Sequence, residues 1–395
     1  MHNKKGMLTV AATALAVAFL TTVFYVTPVG KRVYAYILDK HDPGAQYLKF
    51  MQIESLIDNN YMGDFNKKQL SENAIGAYVD SIGDDYTTYL NTDSYSSMKK
   101  TLDGEYDGIG ISISAKDGII KIVSVKQNSP ADAAGILKGD ILVGVNGKEF
   151  NGDSASEAIS EIQSVKNGDK VKITVERDGE KYEMLVEKKN IEMEYISSKM
   201  IDSEIGYIRI KTFGNNVADD FKKNVENLKK SGMKMLIIDL RSNPGGLLDQ
   251  AVKIADYLMP EGVITTVKEA NGSTEEYKSD KNELDMKMCV LINSESASAS
   301  EILSGALRDS KKAVLVGKNS YGKGIVQSIF DLSDGSALRV TVAKYYTPSG
   351  ECIHKKGIAP DYDVDLPEGE TISDFELDLK NDTQLNKAVE VLKEK

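Results

Sequence analysis

The chain has 395 residues, too many for one ordinary domain, and its 41% hydrophobic and 28% charged content is that of a globular protein able to bury a sizeable core. A formal net charge of −11 and the lack of any Lys/Arg run with interleaved aromatics argue against a nucleic-acid partner, because phosphate neutralisation needs a concentrated basic face. The two cysteines, Cys289 and Cys352, have neither a CxxC nor a Cys/His setting, which argues against a structural zinc site.

In chain order, Lys4 and Lys5 precede a stretch from Met7 to Gly30 without a charged residue. That length spans a hydrocarbon core as a helix, and no small-x-small cleavage site follows it. The expectation is an uncleaved signal anchor in residues 1–40, a single pass through the cell membrane, and a bulk that lies extracytoplasmic. Residues 41–102 read as helical and amphipathic, with Leu48, Met51, Ile53, Leu56 and Ile57 as one stripe that packs on a later domain; Leu70, Ala74, Ala77 and Tyr78 form another, and Gly83 to Tyr86 a turn. Residues 103–189 carry short alternating strands and glycine turns, with a helix from Ser154 to about Val165, and form a compact, mainly β unit. Residues 190–368 alternate strands (Ile205 to Ile210, Met235 to Leu240, Val263 to Val267, Met288 to Asn293, Ala313 to Val316, Ser336 to Val342) with helices (Val217 to Lys230, Leu247 to Leu258, Ser298 to Arg308). That is the texture of an α/β domain, with its chemistry at the carboxyl ends of strands. Residues 369–395 end in an amphipathic helix.

Three places carry candidate chemistry. The apolar strand ending at Asn293 runs through Ser294-Glu295-Ser296-Ala297-Ser298-Ala299-Ser300-Glu301 into a helix. A hydroxyl at a helix N-terminus lies among free N–H groups that favour a developing oxyanion, although a plain N-cap has the same look. A serine nucleophile needs a base. Of the three histidines only His354 is a candidate. The other candidate is Lys323, between Gly322 and Gly324, where desolvation favours the neutral amine. Third, Asp239-Leu240-Arg241-Ser242-Asn243-Pro244-Gly245-Gly246-Leu247 turns a buried strand into a helix and exposes backbone N–H groups, as an oxyanion hole requires. It lacks the Walker and GxGxxG spacings of a nucleotide site.

Together, DLRSNPGGL (Asp239 to Leu247), SASASE (Ser296 to Glu301), YGKGIVQ (Tyr321 to Gln327), and YTPSG and GIAPD (Tyr346 to Gly350, Gly357 to Asp361) resemble the carboxyl-terminal processing peptidases, or tail-specific proteases. The resemblance spans roughly residues 45 to 390. It implies an α/β (α+β) protease core with an inserted mainly β PDZ domain and helical N- and C-terminal segments. It implies Ser298 as nucleophile, Lys323 as base and Gln327 as the residue that orients the lysine. It also implies an oxyanion hole from the N–H groups of Ala299 and of the Gly245-Gly246 turn. Glu301, Arg241 and Asp309 match motif positions and take structural roles.

The unit at 103–189 resembles a PDZ domain of the bacterial type, through Asn128-Ser129-Pro130-Ala131, Gly135 and Gly139-Asp140-Ile141-Leu142 to Asn146-Gly147. Tyr106, Gly108, Ile109, Gly110 and Ile111 match its carboxylate-binding loop and following strand, where peptides add by β-augmentation. Arg177 is one candidate for a signal from this module to the dyad. The expected function is a serine endopeptidase that grips protein C-termini and cleaves extracytoplasmic substrates through a Ser-Lys acyl-enzyme, with no metal or cofactor. A non-catalytic peptide-binding protein and a hydrophobic-ligand carrier on the same scaffold are the alternatives. The helical ends suggest a homodimer, by analogy only.

Overall fold

A computed structural model describes residues 43–116, 118–367, 372, 379 and 381–394. The chain divides into two units, Met1–Ser71 and Glu72–Lys395. The expected anchor from Met7 to Gly30 lies outside the described residues. Among the described residues no helix is long and apolar enough to cross a membrane, and this finding corrects the single-pass, extracytoplasmic placement expected from the sequence.

In the first unit, the helix Pro43–Asn60 leads to the start of the helix Lys67–Asp80, and Lys67 Nζ bonds Asp58 Oδ2 at 2.5 Å. Leu48, Met51, Ile53 and Leu56, expected as a packed stripe, are exposed side chains.

The second unit is built on a six-stranded sheet. Its order is Ile196–Met200, Ile205–Ile210, Met235–Asp239, Lys287–Ile292, Ala313–Gly317 and Tyr362–Asp363, parallel except for the first pair. Strand side chains alternate between faces. Ile208, Ile238, Val290 and Leu315 therefore point to one core, shared with the helices Val217–Lys230, Leu248–Leu258 and Ala299–Asp309. Tyr207, Ile237, Cys289 and Val316 point to the other, which the helix Thr383–Lys393 covers with Leu385, Ala388 and Leu392. Cys289 is buried there, and both cysteines are free. A second, five-stranded sheet pairs Thr88–Leu90, Ile325–Asp331 and Gly262–Glu269 with the long strand Ala337–Tyr346, and Thr274–Ser279 with Gly262–Glu269.

The inserted β module has its own core around Ile120, Leu142, Ile173 and Val186, and its own sheet, in the order Ile111–Lys116, Ile119–Val125, Ile141–Val145, Lys170–Arg177, Glu180–Glu187. Among the described residues its first strand is paired on one side only. Where the chain enters and leaves the module, Glu105–Gly108 pairs antiparallel with Lys189–Glu192.

A buried network ties the C-terminal helix to the main sheet. Arg241, 1% exposed, gives two hydrogen bonds to Asp382 (2.9 and 2.8 Å), one to Gln384 (3.0 Å) and a short one to Asp239 (2.6 Å). Tyr207 OH donates to Asp239 at 2.7 Å. Burial alone would push the Asp239 carboxyl up, but the Arg241 guanidinium holds it below the usual carboxylate range. Asp382 also caps the helix, accepting from Leu385 N at 2.9 Å. Asp382→Ala leaves a buried guanidinium half-paired and a helix uncapped, and is expected to lower stability by ~2–4 kcal/mol, read as a drop in the urea midpoint at unchanged slope.

Candidate active site

Loops from the carboxyl ends of three adjacent parallel strands converge: 240–247 after Met235–Asp239, 293–298 after Lys287–Ile292, and 318–324 after Ala313–Gly317. This edge is the usual place for a site in an open α/β sheet.

The serines of the central loop are not equivalent. Ser296 and Ser300 are fully buried, their hydroxyls donating to Leu240 O (2.8 Å) and Asn243 O (3.0 Å). Ser294 is exposed, and Ser298 is half-exposed at the N-terminus of the helix Ala299–Asp309. Ser298 holds φ 55° and ψ −114°, a backbone state that costs an L-residue energy and persists only when its surroundings enforce it.

Two neighbours enforce it. Gly245, at φ +102°, presses against Ser298: a Cβ there would lie 2.7 Å from the Ser298 Cβ and 2.8 Å from Ala297 O. The Gly245 N–H is donated to Asn243 Oδ1 at 2.9 Å. The expectation that both glycines of this turn supply N–H groups is therefore corrected for Gly245, which contributes close approach instead. Gly246 forms a parallel bridge with Phe213, which uses the flanking Gly245 O and Leu247 N and leaves the Gly246 N–H with no acceptor among the described residues. The Ala299 N–H likewise has none.

The second neighbour is Glu301, fully buried one turn into the helix. Its Oε2 accepts from Ser298 N (2.8 Å) and Lys323 N (2.9 Å), and its Oε1 from Ser320 Oγ (2.6 Å) and Gly322 N (2.7 Å). Burial pushes the Glu301 carboxyl up, while these donors favour the ionised form that alone accepts from all of them. Tyr345 completes the clasp: its hydroxyl donates to Lys323 O at 2.6 Å and lies 3.1 Å from Ser298 O. One carboxylate and one phenol thus fix the backbones of Ser298 and Lys323 relative to each other.

Both glycines beside Lys323 are sterically required. A Cβ on Gly322 (φ +90°) would lie 2.9 Å from Gly357 N, and one on Gly324 2.6 Å from His354 N. The loop 353–357 packs against this turn and holds Lys323 half-buried, with its Nζ 5.0 Å from the centre of the Tyr86 ring. Burial lowers the amine below its ordinary 10.5, Arg339 lowers it further, and Glu301 acts in the opposite sense. No hydrogen bond joins Lys323 Nζ to Ser298 Oγ in this conformation. Gln327 lies on the strand Ile325–Asp331 opposite Thr341, and its buried Nε2 has no partner among the described residues.

Residues 204–364 match the sequence pattern of Peptidase family S41, and residues 108–187 match a PDZ domain. The carboxy-terminal processing protease CtpA of Bacillus subtilis is 37% identical over 315 residues, which are 79% of this chain and 67% of that protein. A probable CtpA-like serine protease of Staphylococcus aureus is 33% identical over 365 residues, 91% of this chain and 72% of that protein. The chain belongs to peptidase family S41. Among solved structures, the photosystem II D1 C-terminal processing protease superposes with a TM-score of 0.51 at 26% identity, covering 80% of this chain and 86% of that one. A putative S41 protease from Bacteroides fragilis (TM-score 0.57, 18% identity, 86% and 96% covered) shares the fold.

This S41 peptidase is thus a serine peptidase of the C-terminal processing group with a PDZ module. His354 does not build a triad: no carboxylate accepts from its buried Nδ1 among the described residues, and burial lowers its pKa. Asp309 accepts from Ser349 N at 3.0 Å and so ties the Thr347-Pro348-Ser349-Gly350 turn to the end of the Ser298 helix. Arg177 makes a bidentate pair with Asp140 (2.7 Å) and bonds Gly135 O (2.9 Å), which keeps it within the PDZ module. In the loop expected to bind a carboxylate, Tyr106 folds its ring over Gly108, Ile109 is in the module core, and Gly110 (φ +90°) lies against Ser129, where any Cβ would clash at 2.3 Å. The carbonyls of Ile109 and Gly110 accept from Ala131 and Lys126, but their N–H groups have no acceptor among the described residues. Ile111 and Ile113 turn toward the module core, and the outer backbone edge of their strand is unpaired among the described residues. Tyr345, Tyr86 and Asn243 escaped the sequence reading. Asn243 lies inside a quoted motif and Tyr345 directly precedes one, whereas Tyr86 has no local signal.

Proposed function

We propose that this peptidase cleaves polypeptides through an acyl-enzyme on Ser298, with the Lys323 amine as general base. The observation that carries this reading is the shared carboxylate: Glu301 binds the backbone N–H of both residues, which no separate structural role of either would require. Lys323 is flexible beyond its clamped backbone, so its amine rotates from the Tyr86 ring to the Ser298 hydroxyl, with the Gln327 side chain orienting it. It takes the hydroxyl proton as Oγ attacks the scissile carbonyl, and returns it to the leaving amine. The N–H groups of Ala299 and Gly246 hold the oxyanion. Water then hydrolyses the acyl-enzyme.

The substrate is a protein with an accessible C-terminus. Its carboxylate docks on the free N–H groups of Ile109 and Gly110, and its last residues add as a strand to the open edge of Ile111–Lys116, with an apolar side chain over Ile111 and Ile113. A fluorophosphonate is expected to label the chain at Ser298 alone. An unstructured polypeptide is expected to be cut, and its C-terminally amidated form to be cut several-fold more slowly at low concentration. Labelling at another residue would sink the nucleophile assignment, and equal rates for the two substrates would sink the carboxylate one.

A further inference from the structure

Arg339 has no ion-pair partner among the described residues, and its buried Nε has no acceptor. An uncompensated, half-buried guanidinium is costly and calls for a reason. Its place in the fold supplies one. Arg339 lies on the long strand Ala337–Tyr346, paired with Thr88 on one side and Ile329 on the other. Two residues along, on the same face, is Thr341, whose partner is Gln327. The guanidinium therefore shares a sheet face with Gln327, next to the turn that presents Lys323.

We propose that Arg339 is a positioning residue that keeps the Lys323 amine uncharged by presenting it with an unneutralised cation. This rests on the reading of Lys323 as base. The other groups around Lys323 do not supply the effect. From the Ser298 helix comes Glu301, which works in the opposite sense. From the turn 84–87 comes the Tyr86 ring, whose face favours an ammonium, while Asp84 of the same turn acts on His354. From the loop 353–357 comes His354, whose pKa burial, Lys355 and Lys344 lower. Arg339 is the cation that opposes them, and a carboxylate paired with it would cancel its effect. The missing counter-ion is, on this view, the functional feature.

The experiment is the pH dependence of kcat/KM on an unstructured peptide. In Arg339→Gln the acid limb is expected to move to higher pH by about one unit, with a roughly tenfold loss at pH 7 that is recovered at high pH. Arg339→Lys, which keeps the charge, is expected to keep the native limb. A folded Arg339→Gln chain with an unmoved limb overturns the proposal, as does a limb equally displaced in Arg339→Lys. A measurement on the native sequence at this position covers the case in which Arg339→Gln does not fold. In Ser298→Ala, acetylation of Lys323 by acetic anhydride, followed by peptide mass, is expected to titrate below the ordinary lysine value of 10.5. Titration at that value overturns the proposal. Lys323→Ala separates the two readings: if it retains activity, the base assignment itself has failed.

Discussion

Ser298→Ala and Lys323→Ala are each expected to lower kcat/KM by about 10⁴-fold or more, and the double substitution by no more than either alone. On the proposed mechanism, attack by Oγ and removal of its proton are one event. Without the amine the hydroxyl is a weak nucleophile, and without the hydroxyl the amine has nothing to activate. The residual rate comes from oxyanion donors and substrate positioning, which both variants keep. Steady-state kinetics on an unstructured peptide, with fluorophosphonate labelling in parallel, checks this. Losses that multiply in the double variant would show two independent contributions and would contradict a dyad.

Glu301→Gln is expected to cost about 10²–10³-fold in kcat/KM, equivalent to ~3–4 kcal/mol. The change is isosteric and removes only the capacity to accept on both oxygens. Four donors lie within 2.9 Å of this side chain, the backbone N–H of Ser298, Gly322 and Lys323 and the Ser320 hydroxyl, with the Tyr345 hydroxyl farther off at 3.4 Å. An amide offers one oxygen to two of them and turns its own N–H bonds toward the rest, in a site too buried for water to intervene. Ser298 then loses the bond that holds its strained backbone, or Lys323 its clamp. The sign of an acid effect follows from the same donors. As pH falls toward the raised pKa of Glu301, protonation removes acceptor capacity, so activity drops on the acid side for Glu301 as well as for Lys323. Activity within threefold of the native chain would show that the two backbones hold their positions without this carboxylate.

The helix Val217–Lys230 was legible to the residue, because Val217, Phe221, Val225 and Leu228 mark one face of an otherwise charged segment. The strands Thr274–Ser279 and Ile325–Asp331 were not. The first, TEEYKS, is a polar edge strand whose only large apolar residue is Tyr277, and the second breaks its alternation with a bulge at Val326/Gln327. Among the site residues, the unusual serine and the glycine-flanked lysine could be picked out because both sit at strand ends among small residues. Glu301 reads in the sequence as an ordinary capping glutamate; that it also clasps Gly322 and Lys323 depends on a contact across 21 residues or more. The Tyr86 ring over Lys323 joins segments more than 200 residues apart, which periodicity and local motifs do not register.

The paired strands Glu105–Gly108 and Lys189–Glu192 bring the two ends of the PDZ module side by side. A graft with neighbouring termini asks little of its host: a different recognition cassette spliced between these two strands needs only to begin and end a few ångströms apart. The Ser298–Lys323 site, carried by loops, a helix and strands outside the module, is then untouched by the exchange, so a change of clientele and a change of chemistry are separable steps for this architecture.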